Sequence, residues 1–148
     1  MMGTFRVLVV DDEADFLETI VNRLLKRKID ATGVPGGEAA LALMKEKNFD
    51  VVLLDIKMPG GMDGIEVLKE SKKIQPLTEV ILLTGHASVE TSIEGMNSGA
   101  FDYLIKPVKF AELLEKLIAA FEKKNAQEQK IRGAKIRGIT SIPESSFE

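Results

Sequence analysis

The chain has 148 residues with no cysteine, no tryptophan and a single histidine, His86, a length that suits one domain with its own core. Without Cys there is no disulfide scaffold, thiolate zinc site or cysteine nucleophile, and one His cannot build a multi-histidine metal site. The net charge is −3; residues 1–122 are acidic, which argues against a nucleic-acid surface there, and no apolar run nears the ~18 residues of a membrane span, so a soluble intracellular domain with no membrane contact is expected.

Phe5-Arg6-Val7-Leu8-Val9-Val10 is a short apolar run that stops at Asp11-Asp12-Glu13. Phe16, Leu17, Ile20, Val21, Leu24 and Leu25 then recur at helical spacing. Ile29 to Val34 is a weaker strand candidate. Pro35-Gly36-Gly37 breaks the chain before a helix carrying Ala40, Leu41 and Met44. Val51-Val52-Leu53-Leu54 ends at Asp55, and a loop at Met58-Pro59-Gly60-Gly61 leads to a helix over about 64–73. Val80-Ile81-Leu82-Leu83 ends at Thr84-Gly85, and Ser88 can cap a helix carrying Val89, Ile93 and Met96. Phe101 to Ile105 forms the last strand, ending at Lys106-Pro107. Phe110, Leu113, Leu114, Leu117, Ile118 and Phe121 stripe a final helix. The remaining stretch, 123–148, holds six basic residues against three acidic ones. It reads as a solvated extension, or as a docking segment for an acidic partner. Gly133 and Gly138, inside the echoed Lys-Ile-Arg-Gly motif, oppose a stable helix, so this extension is expected to be partly helical or disordered.

Five alternating strand–helix units with strands apolar on both faces give a parallel sheet between helix layers, a three-layer α/β architecture. Periodicity alone leaves the strand order open.

Sites in open parallel sheets form beyond the carboxyl ends of the strands. Here those ends carry Asp11 and Asp12, Asp55, Thr84 and Lys106. Each has a bland explanation taken singly: a helix cap, a turn residue, a strand exit, a surface lysine. Their joint placement at four strand ends makes coincidence a poor bet. Carboxylates ~4 Å apart repel by several kcal/mol at an effective dielectric near 20, and one lysine cannot neutralise three of them. An all-oxygen set suits a hard divalent cation, Mg²⁺ first, and such an ion usually serves phosphate chemistry. A carboxylate can itself be the nucleophile, giving an acyl phosphate.

These residues fall in stretches that resemble a known family. Val9-Val10-Asp11-Asp12-Glu13, Leu53-Leu54-Asp55-Ile56-Lys57-Met58-Pro59, Met62-Asp63-Gly64, Leu82-Leu83-Thr84-Gly85-His86 and the run from Gly99 to Pro107 are similar to the receiver domain of bacterial two-component response regulators. The likeness covers roughly residues 4–122, and the last two stretches look nearest to receivers of enhancer-binding activators.

The resemblance implies a flavodoxin-like sheet of order 2-1-3-4-5, a receiver over 1–122 and an extension over 123–148. It implies Asp55 as phosphoacceptor, with Mg²⁺ held by Asp12 directly, by Asp11 through water, by Asp55, and by the Lys57 backbone carbonyl. Lys106 and Thr84 would bind the phosphoryl group, Tyr103 would be the switch aromatic, and Lys106-Pro107 would be cis. The expected role is a cytoplasmic signalling switch that catalyses only its own phosphorylation and dephosphorylation. Its partners would be a sensor histidine kinase or phosphotransfer protein, a downstream protein target, and a second copy through the last two helices. Lys57 and His86, each two residues beyond a site residue, are expected to flank the hydrolytic water. One departure stands out: the family usually has one glycine fewer than Met58-Pro59-Gly60-Gly61-Met62-Asp63-Gly64, which puts the next helix's position in doubt. The main alternative is a degenerate receiver acting as an interaction module without phosphorylation. A flavin-binding domain is disfavoured because Asp11-Asp12-Glu13 would repel a phosphate, and an aspartate-nucleophile phosphohydrolase because Asp55-Ile56-Lys57 lacks Asp-x-Asp.

Overall fold

The computed structural model describes residues 5–85 and 89–140. Ten elements alternate along the chain: β1 (Arg6–Val10), α1 (Ala14–Lys26), β2 (Asp30–Val34), α2 (Gly37–Met44), β3 (Val51–Asp55), α3 (Gly64–Ile74), β4 (Glu79–Thr84), α4 (Val89–Asn97), β5 (Asp102–Ile105) and α5 (Phe110–Thr140). The strands form one sheet of order β2-β1-β3-β4-β5, and every pairing is parallel. The doubly wound (βα)5 architecture and its strand order are as expected. Ser88 lies outside the described residues.

Each central strand is buried on both faces because successive side chains point to opposite sides. Val7 and Val9, Leu53, Ile81 and Leu83 pack with Ile20 and Leu24 of α1 and Leu113 and Leu117 of α5. Leu8 and Val10, Val52 and Leu54, Val80 and Leu82 pack with Met44 of α2 and Val67 and Leu68 of α3. The register sets Val10 beside Leu54, Asp55 beside Leu83, and Thr84 beside Ile105. The residues at or just past these positions therefore share one end of the sheet.

The longer β3–α3 loop is absorbed locally. Gly60 takes a positive φ of 87° with open space around it, a conformation L side chains rarely adopt. Asp63 then caps α3 by accepting a hydrogen bond from the Ile65 N–H at 3.2 Å. The Gly64 N–H donates to the Ile56 carbonyl at 3.1 Å. This approach requires glycine, since a Cβ at 64 would lie 2.6 Å from Ile56 Cα and 2.9 Å from the Asp55 carbonyl oxygen. The extra residue thus leaves α3 seated, with Ile65, Val67 and Leu68 buried.

In the carboxyl-terminal stretch the helix passes two glycines expected to oppose it. α5 is one helix of 31 residues that runs through Gly133 and Gly138. Each helical glycine costs about 1 kcal/mol relative to alanine, but a helix already nucleated by packed residues propagates without a new nucleus. Lys124, placed by its sequence in the solvated tail, is buried: its Nζ donates to Asp50 Oδ1 at 3.0 Å and to Glu128 Oε2 at 2.8 Å. Lys123 reaches the buried Glu79 carboxylate at 3.2 Å. These ties hold the root of the extension against the sheet.

Gly64→Ala should destabilise the protein by ~2 kcal/mol or more, because the new methyl meets backbone rather than a yielding side chain. Urea denaturation of the two proteins measures the difference.

Candidate functional site

Asp11 follows β1, is fully buried, and donates its N–H to the Val34 carbonyl at 3.2 Å. Its carboxylate is engaged at both oxygens: Oδ1 accepts the Glu13 N–H at 2.9 Å and Oδ2 accepts from Lys106 Nζ at 2.7 Å. Asp55 closes β3 and is 6% exposed. Its Oδ1 accepts the Lys57 N–H at 3.1 Å, and its Oδ2 lies 3.7 Å from Lys106 Nζ. Asp12 is exposed, yet carboxylate oxygens of Asp11, Asp12 and Asp55 lie within 4.8 Å of one another.

Lys106 enters from the turn after β5, where its N–H donates to the Thr84 carbonyl at 2.8 Å and its peptide bond to Pro107 is cis. The ammonium also contacts Glu13 Oε1 at 2.8 Å and sits 4.5 Å above the Phe16 ring. Burial works against the charged form of Lys106, but its bonds to Asp11 and Glu13 and the charges of Asp55 and Asp11 outweigh it and raise its pKa. Glu13 is lowered by its hydrogen bond to Lys106 and by that residue's charge. Asp55 moves the other way: burial, and then the Asp11 charge, push its carboxyl up to about 6.

The structure therefore gathers Asp11, Asp12, Asp55 and Lys106 at one place, with Thr84 beside them. The Thr84 hydroxyl donates to the Gly85 carbonyl at 2.7 Å. Tyr103 stands on β5 in register with Leu82 and is 38% exposed. Lys57 contributes its N–H to Asp55 while the residue itself is exposed. His86 lies outside the described residues. The partner missed in the sequence is Glu13: it sits 93 positions from Lys106, and only its place directly after the two aspartates hinted at a role. An open cleft of about 750 Å³ beside the cluster is lined by Glu13, Phe16, Lys106, Pro107 and Val108, among others.

Three carboxylates share one ammonium, and one of them is pushed well above its usual range. An all-oxygen donor set this short of positive charge could hold a hard divalent cation, with Asp12 offering the solvent-facing oxygen.

A family model described as the response regulator receiver domain matches residues 7–118, and the chain belongs to that family. It is therefore a receiver of two-component signalling, a switch module. It is 39% identical over 145 residues to the transcriptional regulatory protein ZraR of Salmonella typhimurium, covering 95% of this chain and 32% of that protein. It is 42% identical over 113 residues to the regulatory protein AtoC of Escherichia coli, covering 76% of this chain and 24% of that protein. The chain thus spans a third or less of these relatives. A CheY-like receiver domain protein from Methanospirillum hungatei superposes with a TM-score of 0.80 at 31% identity, covering 84% of this chain and 99% of that one. Among the described residues no helix is long and apolar enough to cross a membrane.

The raised Asp55 carboxyl fixes a pH dependence. It binds a proton more readily in the folded protein than in the unfolded chain. Its favourable contribution is complete below about 3.8 and is lost as pH rises through about 6. In chelator-treated protein, Asp55→Asn should be more stable than wild type by roughly 2 kcal/mol at neutral pH. That advantage should shrink towards zero below about pH 4, as read by thermal denaturation across pH.

Proposed function

We propose that this chain accepts a phosphoryl group on Asp55 and uses it to switch a protein-binding face. The supporting observation is the buried Asp55 carboxylate beside Asp11 and Lys106 at the carboxyl end of the sheet. The donor is a phosphohistidine on a sensor kinase or phosphotransfer protein in the cytoplasm, brought to the cleft beside Glu13, Phe16 and Pro107. A carboxylate oxygen of Asp55 forms a bond to phosphorus as the phosphorus–nitrogen bond breaks. The bonding pair stays on that imidazole nitrogen, while the other ring nitrogen keeps the proton it carried in the phosphoimidazolium, so neutral imidazole leaves.

Asp12, Asp55 and the Lys57 carbonyl are the residues that would hold Mg²⁺, with Asp11 acting through water. When bound, the cation supplies positive charge for the phosphoryl oxygens. The Lys106 ammonium pairs with those oxygens, and the Thr84 hydroxyl leaves the Gly85 carbonyl to donate to them. Tyr103 turns inward into the space Thr84 vacates. The charge on Asp55 thereby biases α4, β5 and the start of α5, where Ile93, Met96, Tyr103, Ile105 and Ile118 stand exposed. This face engages a downstream protein, an output domain or a second copy of the chain. Water later hydrolyses the acyl phosphate, and the Lys57 side chain flanks its approach.

Acetyl phosphate with Mg²⁺ should add the mass of one phosphoryl group to the full chain, and Asp55→Asn or chelation should abolish the gain. A folded protein that stays unlabelled under these conditions would instead act as an interaction module that works without phosphate. If the Lys57 side chain obstructs the water, Lys57→Asn should shorten the lifetime of the phosphorylated form several-fold. An unchanged decay rate rules out that role.

A further inference from the structure

Glu13 has no task that the fold or the phosphoacceptor chemistry requires of it. It stands at the N-cap of α1 in extended backbone, yet its side chain caps nothing in that helix. Ser, Thr, Asp and Asn lead at such positions because their short side chains reach the first amides, and glutamate is not among them. The Glu13 carboxylate crosses instead to the β5–α5 turn, where Oε1 accepts a hydrogen bond from Lys106 Nζ at 2.8 Å. Its backbone N–H holds Asp11 Oδ1 at 2.9 Å. Phe16, one turn further along α1, lies 4.5 Å beneath the same ammonium. Lys106 is consequently in hydrogen-bond contact with Asp11 and Glu13, at 2.7 and 2.8 Å, and stands back from Asp55 at 3.7 Å.

We infer that Glu13 is a positioning residue for Lys106: it holds the ammonium towards α1 and off Asp55, and must give it up when a phosphoryl group arrives on Asp55. This rests on Asp55 being the phosphoacceptor. Asp11 is fully buried with both carboxylate oxygens bonded; Glu13 is the exposed partner, the one free to let go. Its side chain is 64% exposed, so water already competes for the contact and can replace it. The same exposure limits its leverage to a few-fold in rate, because exposed ion pairs are weak.

A double-mutant cycle tests this in the full chain. Acetyl phosphate with Mg²⁺ is the donor: its oxygen–phosphorus bond breaks, acetate leaves with the electron pair, and Asp55 gains the phosphorus–oxygen bond. The rate of labelling is compared for wild type, Glu13→Gln, Lys106→Ala and the double variant. Glu13→Gln should speed labelling about threefold more in the Lys106 background than in the Lys106→Ala background. The second arm uses metal-free protein without donor. There, nitrogen NMR of the lysine ammonium groups should show the Lys106 signal shifted, with faster proton exchange, in Glu13→Gln. An equal effect of Glu13→Gln in both backgrounds, or an unmoved Lys106 signal, overturns the inference. Wild-type protein that is never labelled at Asp55 defeats the phosphoacceptor reading, and the metal-free comparison then still decides whether Glu13 holds Lys106.

Discussion

Lys106 Nζ lies 2.7 Å from Asp11 and 3.7 Å from Asp55. Among the described residues these two buried carboxylates have no other cationic partner within salt-bridge distance. Their carboxylate oxygens lie within 4.8 Å of each other, where like charges repel by several kcal/mol, and burial removes the water that would screen them. The ammonium is not a loose surface group: its own backbone N–H is bonded to the Thr84 carbonyl, so the sheet itself delivers the charge. Even so, compensation is incomplete: burial, and then the Asp11 charge, raise the Asp55 carboxyl to about 6. Much of the site's electrostatics follows from that imbalance, since a group bringing positive charge relieves it.

Register converts this charge problem into a location. Asp11 and Asp55 continue the alternation of Val9 and Leu53 on the face towards α1 and α5, the side from which Lys106 arrives. Leu82 shows Thr84 to be in the opposite phase, on the side of α2 and α3. The site's groups thus straddle the carboxyl end of the sheet from both layers. A slip of one residue in β1 or β3 would exchange side chains between the two cores and turn a carboxylate to the wrong face.

Much of this arrangement was legible in the sequence. Apolar runs ending in Asp11, Asp55, Thr84 and Lys106 marked both the strands and their chemically loaded ends. The order β2-β1-β3-β4-β5 was not readable from pattern, because strands buried on both faces look alike wherever they sit; it came from family resemblance. Glu13 was overlooked because its partner lies far along the chain and no local period connects them. Lys124 was misplaced for a related reason: composition records a charge but not the Asp50 and Glu128 side chains that let it be buried. The continuity of α5 through two glycines reflects tertiary anchoring, which helix propensity leaves out.

That anchoring has a mechanical side. From Lys124 to Thr140 the helix continues for 16 residues, about 24 Å at 1.5 Å per residue. Its root is clamped to Asp50, at the end of the sheet opposite Asp55. A rod fixed in this way works as a pointer: each degree of tilt at its base sweeps its far end through about 0.4 Å. Small repacking of α5 against β4 would thus be magnified with distance along the rod, and whatever is joined to its tip would feel the greatest displacement.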